Sequence, residues 1–292
     1  MMNDYWTTLL HDLPLGIGFV ALGFIVLIIA KITKDYVTPY NDDEHLTEKD
    51  NPALGLSRMG YYLGVITVFL GTLHEPEDLD LEYTFGDYWN DLLVVFLYSL
   101  AGIALLNVSR FLMDKLILRR FCMKKEILED RNSGTGAVQC GNYITSGLII
   151  AGAFHGEGDI LSAAVFFALG QAALIVFVGF YQLITRYDIH AQIEKDNVAA
   201  GVALGGNMVA IGVILLKGLS GNFVSWSDNI LGFGVYAVVG CILLFVVRWT
   251  ADVFMLPNAT FDKEIAEDRN LAAAFIECAV VIGAAVIVLV AL

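Results

Sequence analysis

The sequence predicts an all-α polytopic membrane protein, with about eight transmembrane helices forming four parallel-repeat hairpins in two pseudo-symmetric halves. Three observations carry that prediction. The 292 residues are 57% hydrophobic and only 16% charged, where a soluble domain carries about 25% charged residues. Apolar runs of roughly 20 residues, the length that crosses a bilayer as a helix, recur along the chain. A polar phrase ending in Asn is also written four times: Glu48-Lys49-Asp50-Asn51, Glu129-Asp130-Arg131-Asn132, Glu194-Lys195-Asp196-Asn197 and Glu267-Asp268-Arg269-Asn270.

The spans follow in order. Leu15–Ala30 with its flanks is the first, and Ala53–Leu73, Leu92–Met113 and Ala137–Ala153 complete one half. Ile160–Ile184, the longest, is followed by Val198–Leu216, Ile230–Val247 and Leu271–Leu292. Strict polar–apolar alternation is missing, so these are helices rather than barrel strands. No Lys or Arg precedes the first run and no small-residue cleavage site follows it, so it reads as a retained span.

Cations set the orientation. They fall after span one (Lys31, Lys34, Lys49), after span three (Arg110, Lys115, Arg119, Arg120, Lys124, Lys125, Arg131), after span five (Arg186, Lys195) and after span seven (Arg248, Lys263, Arg269). Lys217 is the exception on the other side. Both termini are therefore expected outside, and all four phrases at the cytoplasmic rim. The outward segment His74–Asp91 holds Glu75, Glu77, Asp78, Asp80, Glu82, Asp87 and Asp91 among Tyr83, Phe85, Tyr88 and Trp89. The aromatics suit an interfacial belt. The acids either concentrate cations near a pore mouth or simply keep the loop in water.

The phrases keep a register. Asn51 and Asn197 lie 146 residues apart, whereas Ala21 and Ala168 lie 147 apart, so one loop residue differs. Asn132 and Asn270 are separated by 138, and at that spacing Tyr98 matches Tyr236, Gly102 matches Gly240, Arg110 matches Arg248, Asp114 matches Asp252 and Cys140 matches Cys278. Residues 1–156 and 157–292 are thus read as two copies of a four-helix unit. Each copy crosses an even number of times, so the repeats are parallel, related by an axis along the membrane normal.

Asp50, Asn51, Asp130, Asn132, Asp196, Asn197, Asp268 and Asn270 stand where helices begin. Such side chains cap free N–H groups and complement the helix dipole; alternatively the four starts converge as an ion-selecting ring. Small residues follow at helical spacing (Gly55 and Gly60, Gly136 and Gly141, Gly201 and Gly206, Ala274 and Ala279), which lets helices pack closely in lipid. Seven residues after each Asn come Arg58, Gln139, Leu204 and Glu277, roughly 10 Å into the bilayer. Asn142 and Asn207 share a second repeat position, and Asn107 and Gln171 add polar contacts. Intramembrane ionisable groups face a bundle interior or a watery cavity. Arg58 and Glu277 are expected to pair across the bundle, or Arg58, Gln139, Asn142, Asn207 and Glu277 line a polar lumen. Leu204 interrupts any four-fold filter. Arg110/Asp114 and Arg248/Asp252, at i,i+4, read as local ion pairs.

The exclusions are broad. A net charge of −14 leaves no basic footprint for nucleic acid. Cys122, Cys140, Cys241 and Cys278 lack metal-ligand spacing and read as small core residues. The five histidines form no HExxH pattern, and P-loop, GxSxG and CxxC motifs are missing. No catalytic residue, cofactor or metal ligand is nominated, and no enzyme is expected.

At the repeated Asp-Asn leading into an Ala/Gly-rich helix, the chain resembles the YjfL-like bacterial inner-membrane proteins, domain of unknown function 350. The resemblance covers nearly the whole chain as two tandem copies. It implies a bacterial inner (plasma) membrane location and a multi-pass fold, and it supplies no substrate. Pro52, and Ala274 and Ala279 in place of Gly, depart from the pattern. Two functions remain open at this stage. One is a channel or transporter-like protein for small ions. The other is a non-transporting scaffold or envelope-stress component, binding a cytoplasmic partner through Lys115 to Lys125. Expected partners are the lipid bilayer, small ions, and a second copy or a cytoplasmic protein.

Overall fold

The computed structural model describes residues 2–73, 85–118, 123–155, 158–256 and 259–291. In chain order the helices are α1 (Met2–Val37), α2 (Pro52–Gly71), α3 (Phe85–Leu112), α4 (Met123–Leu128), α5 (Ser133–Phe154), α6 (Ile160–Ile184), α7 (Ile189–Glu194), α8 (Val198–Leu219), α9 (Trp226–Met255), α10 (Phe261–Ala266) and α11 (Leu271–Ala291). Each hairpin has an outer helix, a short rim segment and an inner helix. In the first hairpin a π-helical turn, Glu44–Glu48, takes the place that α4, α7 and α10 hold in the others.

The rim junction shows what the polar phrase does. The residue before each Asn is in the left-handed region: Asp50 (φ 47°), Arg131 (52°), Asp196 (55°) and Arg269 (50°). That conformation costs a non-glycine residue about 1–2 kcal/mol, so neighbouring bonds must offset it. The Asn backbone N–H closes the short segment behind it, donating to the carbonyl of His45, Glu126, Gln192 or Glu264. Three of these reach back six residues and Asn197 reaches back five, which locates the residue missing from the 146-residue spacing. The Asn side-chain oxygen then caps the inner helix, accepting from the N–H of Leu54, Thr135, Ala200 or Ala273. Capping belongs to the asparagines. Asp50 and Asp196 are themselves left-handed, and Asp130 and Asp268 precede the left-handed Arg131 and Arg269.

The remaining amide ties neighbouring hairpins together. Asn51 Nδ2 donates to Ile127 O (2.8 Å), Asn132 Nδ2 to Ile193 O (2.6 Å) and Asn197 Nδ2 to Ile265 O (2.7 Å). Each acceptor is the same position in the next rim segment. Among the described residues no hairpin follows Asn270; its amide bonds Glu264 Oε2 (2.8 Å) in its own rim segment, as Asn132 also bonds Glu126 Oε2 (2.8 Å) and Asn197 bonds Gln192 Oε1 (2.9 Å).

These links place the inner helices α2, α5, α8 and α11 side by side in one direction, as a row in which each touches the next. Its end members α2 and α11 share no comparable contact, so the helix starts do not close a ring. Glycine sets the spacing. A Cβ on Gly141 would lie 2.5 Å from Gly205 Cα, and one on Gly60 would strike the Cys140 backbone. The outer helices form a second layer: α3 lies against α2 and α5, α6 against α5 and α8, and α9 against α8 and α11, with α1 flanking α2 and α3. They carry exposed apolar side chains such as Phe24, Ile28, Leu97, Val176, Leu231 and Trp249.

Among the described residues seven helices are long and apolar enough to cross a membrane. The eighth long helix, α5, is as long as α8 but holds Gln139, Asn142, Tyr143, Thr145 and Ser146, and it is buried on nearly every side. The longest helix is α1 (36 residues), and α9 (30) and α3 (28) also exceed α6 (25); α1 begins at Met2 and runs on through Lys31 and Lys34 to Val37. Those lysines therefore lie on a helix and not in a loop. Glu75, Glu77, Asp78, Asp80, Glu82, Arg119, Arg120 and Cys122 fall outside the described residues. Trp89 meets Phe85 edge-on and lies tilted against Tyr88, and Tyr88 Oη donates to Leu15 O (3.1 Å), joining the start of α3 to α1.

Gly141→Ala pushes α5 against α8 backbone and is expected to cost about 1–3 kcal/mol. Gly283, whose added Cβ would meet nothing within 4 Å, is the control, and Gly283→Ala is expected to leave stability unchanged or slightly raised. Thermal unfolding in detergent compares the two.

Candidate functional site

Three groups of buried polar side chains lie beneath the rim. The second-half cluster centres on Glu277, fully buried on α11. Its Oε1 accepts from Tyr181 Oη on α6 (3.0 Å), Asn207 Nδ2 on α8 (2.8 Å) and Arg248 Nε on α9 (2.9 Å). Its Oε2 has no hydrogen-bond partner. Arg248 turns its other arm to Asp262 Oδ1 on α10 (2.7 Å), and its guanidinium sits 5.7 Å from the centre of the Tyr181 ring. Asp252 does not pair with Arg248; it accepts the Phe261 N–H (2.6 Å) and fixes the start of α10. Tyr187 lies close by in the rim. Burial first, then the Glu277 carboxylate, pushes its phenol above the ordinary range, so it stays a neutral hydroxyl.

The first-half cluster is different. Arg58 on α2 pairs with Asp42, which lies just ahead of the first rim turn, and both are buried. The expected Arg58–Glu277 pair is not formed, because the row places α2 and α11 at opposite ends. Lys34 is fully buried on α1. Its Nζ donates to Tyr143 Oη (2.5 Å) and Asn107 Oδ1 (3.4 Å), and lies 4.8 Å from the ring centres of both Tyr61 and Tyr143. Arg110 Nε stands 3.8 Å from Asp114 Oδ2.

Between the clusters runs a polar stripe along α5. Thr135, Gln139, Asn142 and Ser146 recur at steps of four, three and four residues, which is one helical face, and all are at most 1% exposed. The stripe is about 16 Å long. Gln139 Oε1 accepts from Ser57 Oγ on α2 (2.6 Å), and Ser146 Oγ accepts from Gln171 Nε2 on α6 (3.2 Å). Gln139 Nε2, Thr135 Oγ1 and both ends of the Asn142 amide have no partner. Away from the rim, α2, α5, α8 and α11 together line a cavity of about 450 Å³, with Thr67, His155, Lys217 and Ser220 among its walls.

Of the five residues predicted to line one lumen, the structure joins Asn207 to Glu277, puts Gln139 and Asn142 on one stripe, and sets Arg58 apart with Asp42. Sequence reasoning missed Lys34, Asp42, Tyr143, Tyr181 and Asp262 as site members. A signal existed for Lys34: Val26, Ala30 and Lys34 recur every four residues on the buried face of α1. Lys34 also matches Tyr181 at the 147-residue spacing.

Removing one partner of a buried ion pair leaves the other uncompensated, at about 3–5 kcal/mol. Arg248→Met is accordingly expected to be strongly destabilising, and adding Glu277→Gln to it should recover part of the loss. Chemical unfolding in detergent micelles measures both.

Comparison with known proteins places the chain. Domain of Unknown Function (DUF350) matches residues 8–154 and again residues 157–292. A UPF0719 transmembrane protein of Aquifex aeolicus (strain VF5) is 26% identical over 244 residues, covering 82% of this chain and 85% of that protein. The UPF0719 transmembrane protein YshE of Bacillus subtilis (strain 168) is 25% identical over 132 residues, covering 45% of this chain and 93% of YshE. No solved structure matches. With two successive matches that take in nearly all of its residues, this multi-pass membrane chain belongs to the DUF350 family.

Proposed function

We propose that the chain is a transporter-like or channel-like protein of a bacterial cytoplasmic membrane that carries small ions past the polar stripe of α5. In this reading α5 is the eighth span, because it runs parallel to α2 and α8 over their length. The positive-inside bias puts the rim in the cytoplasm and both termini outside. Gln139 and Asn142, with Thr135 and Ser146 on the same face, are the groups a passing ion would meet, while Arg58 stays apart with Asp42, and the cavity at the far ends of the inner helices is the outer vestibule.

One observation carries the reading. Asn142 is an amide at membrane depth, 1% exposed, with neither its donor nor its acceptor bonded. An unmet buried polar group costs about 1–3 kcal/mol, and lipid offers it nothing. Water or a transient ion beside the stripe would satisfy it, together with Gln139 Nε2 and Thr135 Oγ1. Purely structural amides are expected to bond across helices, as Asn207 does.

The test is ion flux into liposomes holding the purified chain. Wild type should exceed empty vesicles, and Asn142→Leu, which fills the position with an apolar side chain of similar volume, should abolish the difference. If wild type, folded and correctly inserted, carries no cation or anion faster than empty vesicles, translocation is wrong. The scaffold reading would then stand, served by the close-packed inner row, and capture of a cytoplasmic partner should be lost when Arg119, Arg120, Lys124 and Lys125 are neutralised.

A further inference from the structure

We infer that the second-half cluster is a proton-binding site, with the exchangeable proton held on Oε2 of Glu277. Arg248 contributes one positive charge, and Glu277 and Asp262 one negative charge each, so the ionised cluster keeps one unbalanced negative charge, with Glu277 fully buried and Asp262 partly exposed at the rim. One monovalent cation restores neutrality. A proton needs a single open acceptor rather than a shell of oxygens, and Glu277 Oε2 is such an acceptor.

The donor pattern agrees. All three donors to Glu277 converge on Oε1, and Oε2 is bare. A carboxylate fixed permanently as an ion has reason to collect donors on both oxygens; one that alternates between charged and neutral needs one oxygen open to a proton. The groups facing it are Tyr181 from α6, Tyr187 from the rim, Asn207 from α8, Arg248 from α9 and Asp262 beyond Arg248, with Cys278 its neighbour on α11. On uptake, hydronium gives its proton to Oε2, an O–H bond forms and water leaves. Arg248 is then balanced by Asp262 alone.

The repeat supplies an internal contrast. Gln139 occupies the position of Glu277 at the 138-residue spacing, an amide of the same shape that takes up no proton. The first-half cluster is built differently, with Arg58 paired to Asp42 and Arg110 beside Asp114, one carboxylate to each guanidinium. Proton binding is thus confined to one half. As a device for coupling it rests on the translocation reading, whereas as a binding site it does not.

The experiment is pH-difference infrared spectroscopy of the full chain in sodium-free lipid nanodiscs. Acidification should raise a carboxylic-acid carbonyl band as carboxylate bands fall, and Glu277→Gln should remove that band. Tyr181→Phe takes one donor from the ionised form, so the titration midpoint should rise by about 0.5–1 pH unit. The inference is overturned if the band survives Glu277→Gln, if Tyr181→Phe leaves the midpoint in place or lowers it, or if sodium rather than acid drives the change. A titrating Glu277 without flux would remove translocation alone, and flux without a titrating Glu277 would remove this site alone.

Discussion

The four inner helices α2, α5, α8 and α11 start at the rim, and each start exposes N–H groups that cannot be left bare near lipid. The asparagine at each junction meets that constraint with three separate bonds. Its backbone N–H closes the segment behind, its oxygen caps the helix ahead, and at three of the four junctions its amide reaches the next hairpin. A left-handed residue immediately before it makes the turn. Because one residue type serves all these purposes, the junction could be copied whole, and the direction of every hairpin was copied with it.

Shared direction has a packing consequence. Parallel inner helices in register bring glycine to glycine, as at Gly141 and Gly205, and leave α5 and α8 enclosed by their neighbours. An enclosed helix is free of the requirement to be apolar, which is where the stripe of Thr135, Gln139, Asn142 and Ser146 became tolerable. The outer helices meet the opposite condition and are apolar on their exposed faces. The two halves then diverged at matching positions: Lys34 against Tyr181, Gln139 against Glu277, Tyr61 against Asn207.

What could be read from the sequence was whatever is local or periodic. Asn51 and its copies announce a helix start, small residues announce close packing, and the one-residue difference in spacing appears as the shorter reach of Asn197. Pairings between distant helices were hidden. Arg58 and Glu277 share a repeat position and opposite charge, yet the open row separates them, and each found its partner nearer by, in Asp42 and in Arg248. Lys34 looked like a loop cation because α1 outruns its apolar stretch, and only the rotation of α1 against α2 and α5 shows that Lys34 points inward. The acids of each phrase resembled caps, but the left-handed turn puts them one or two residues too early.

The claim that the rim asparagines bind hairpin to hairpin is tested most directly by replacing each with serine in turn and measuring unfolding free energy in detergent. Serine keeps an oxygen that caps the helix but lacks the second donor. Asn51→Ser, Asn132→Ser and Asn197→Ser should each lose about 1–3 kcal/mol, since a buried carbonyl in the next hairpin is left unmet, and Asn270→Ser should lose clearly less. Equal losses at all four positions, or the largest at Asn270, would contradict the account.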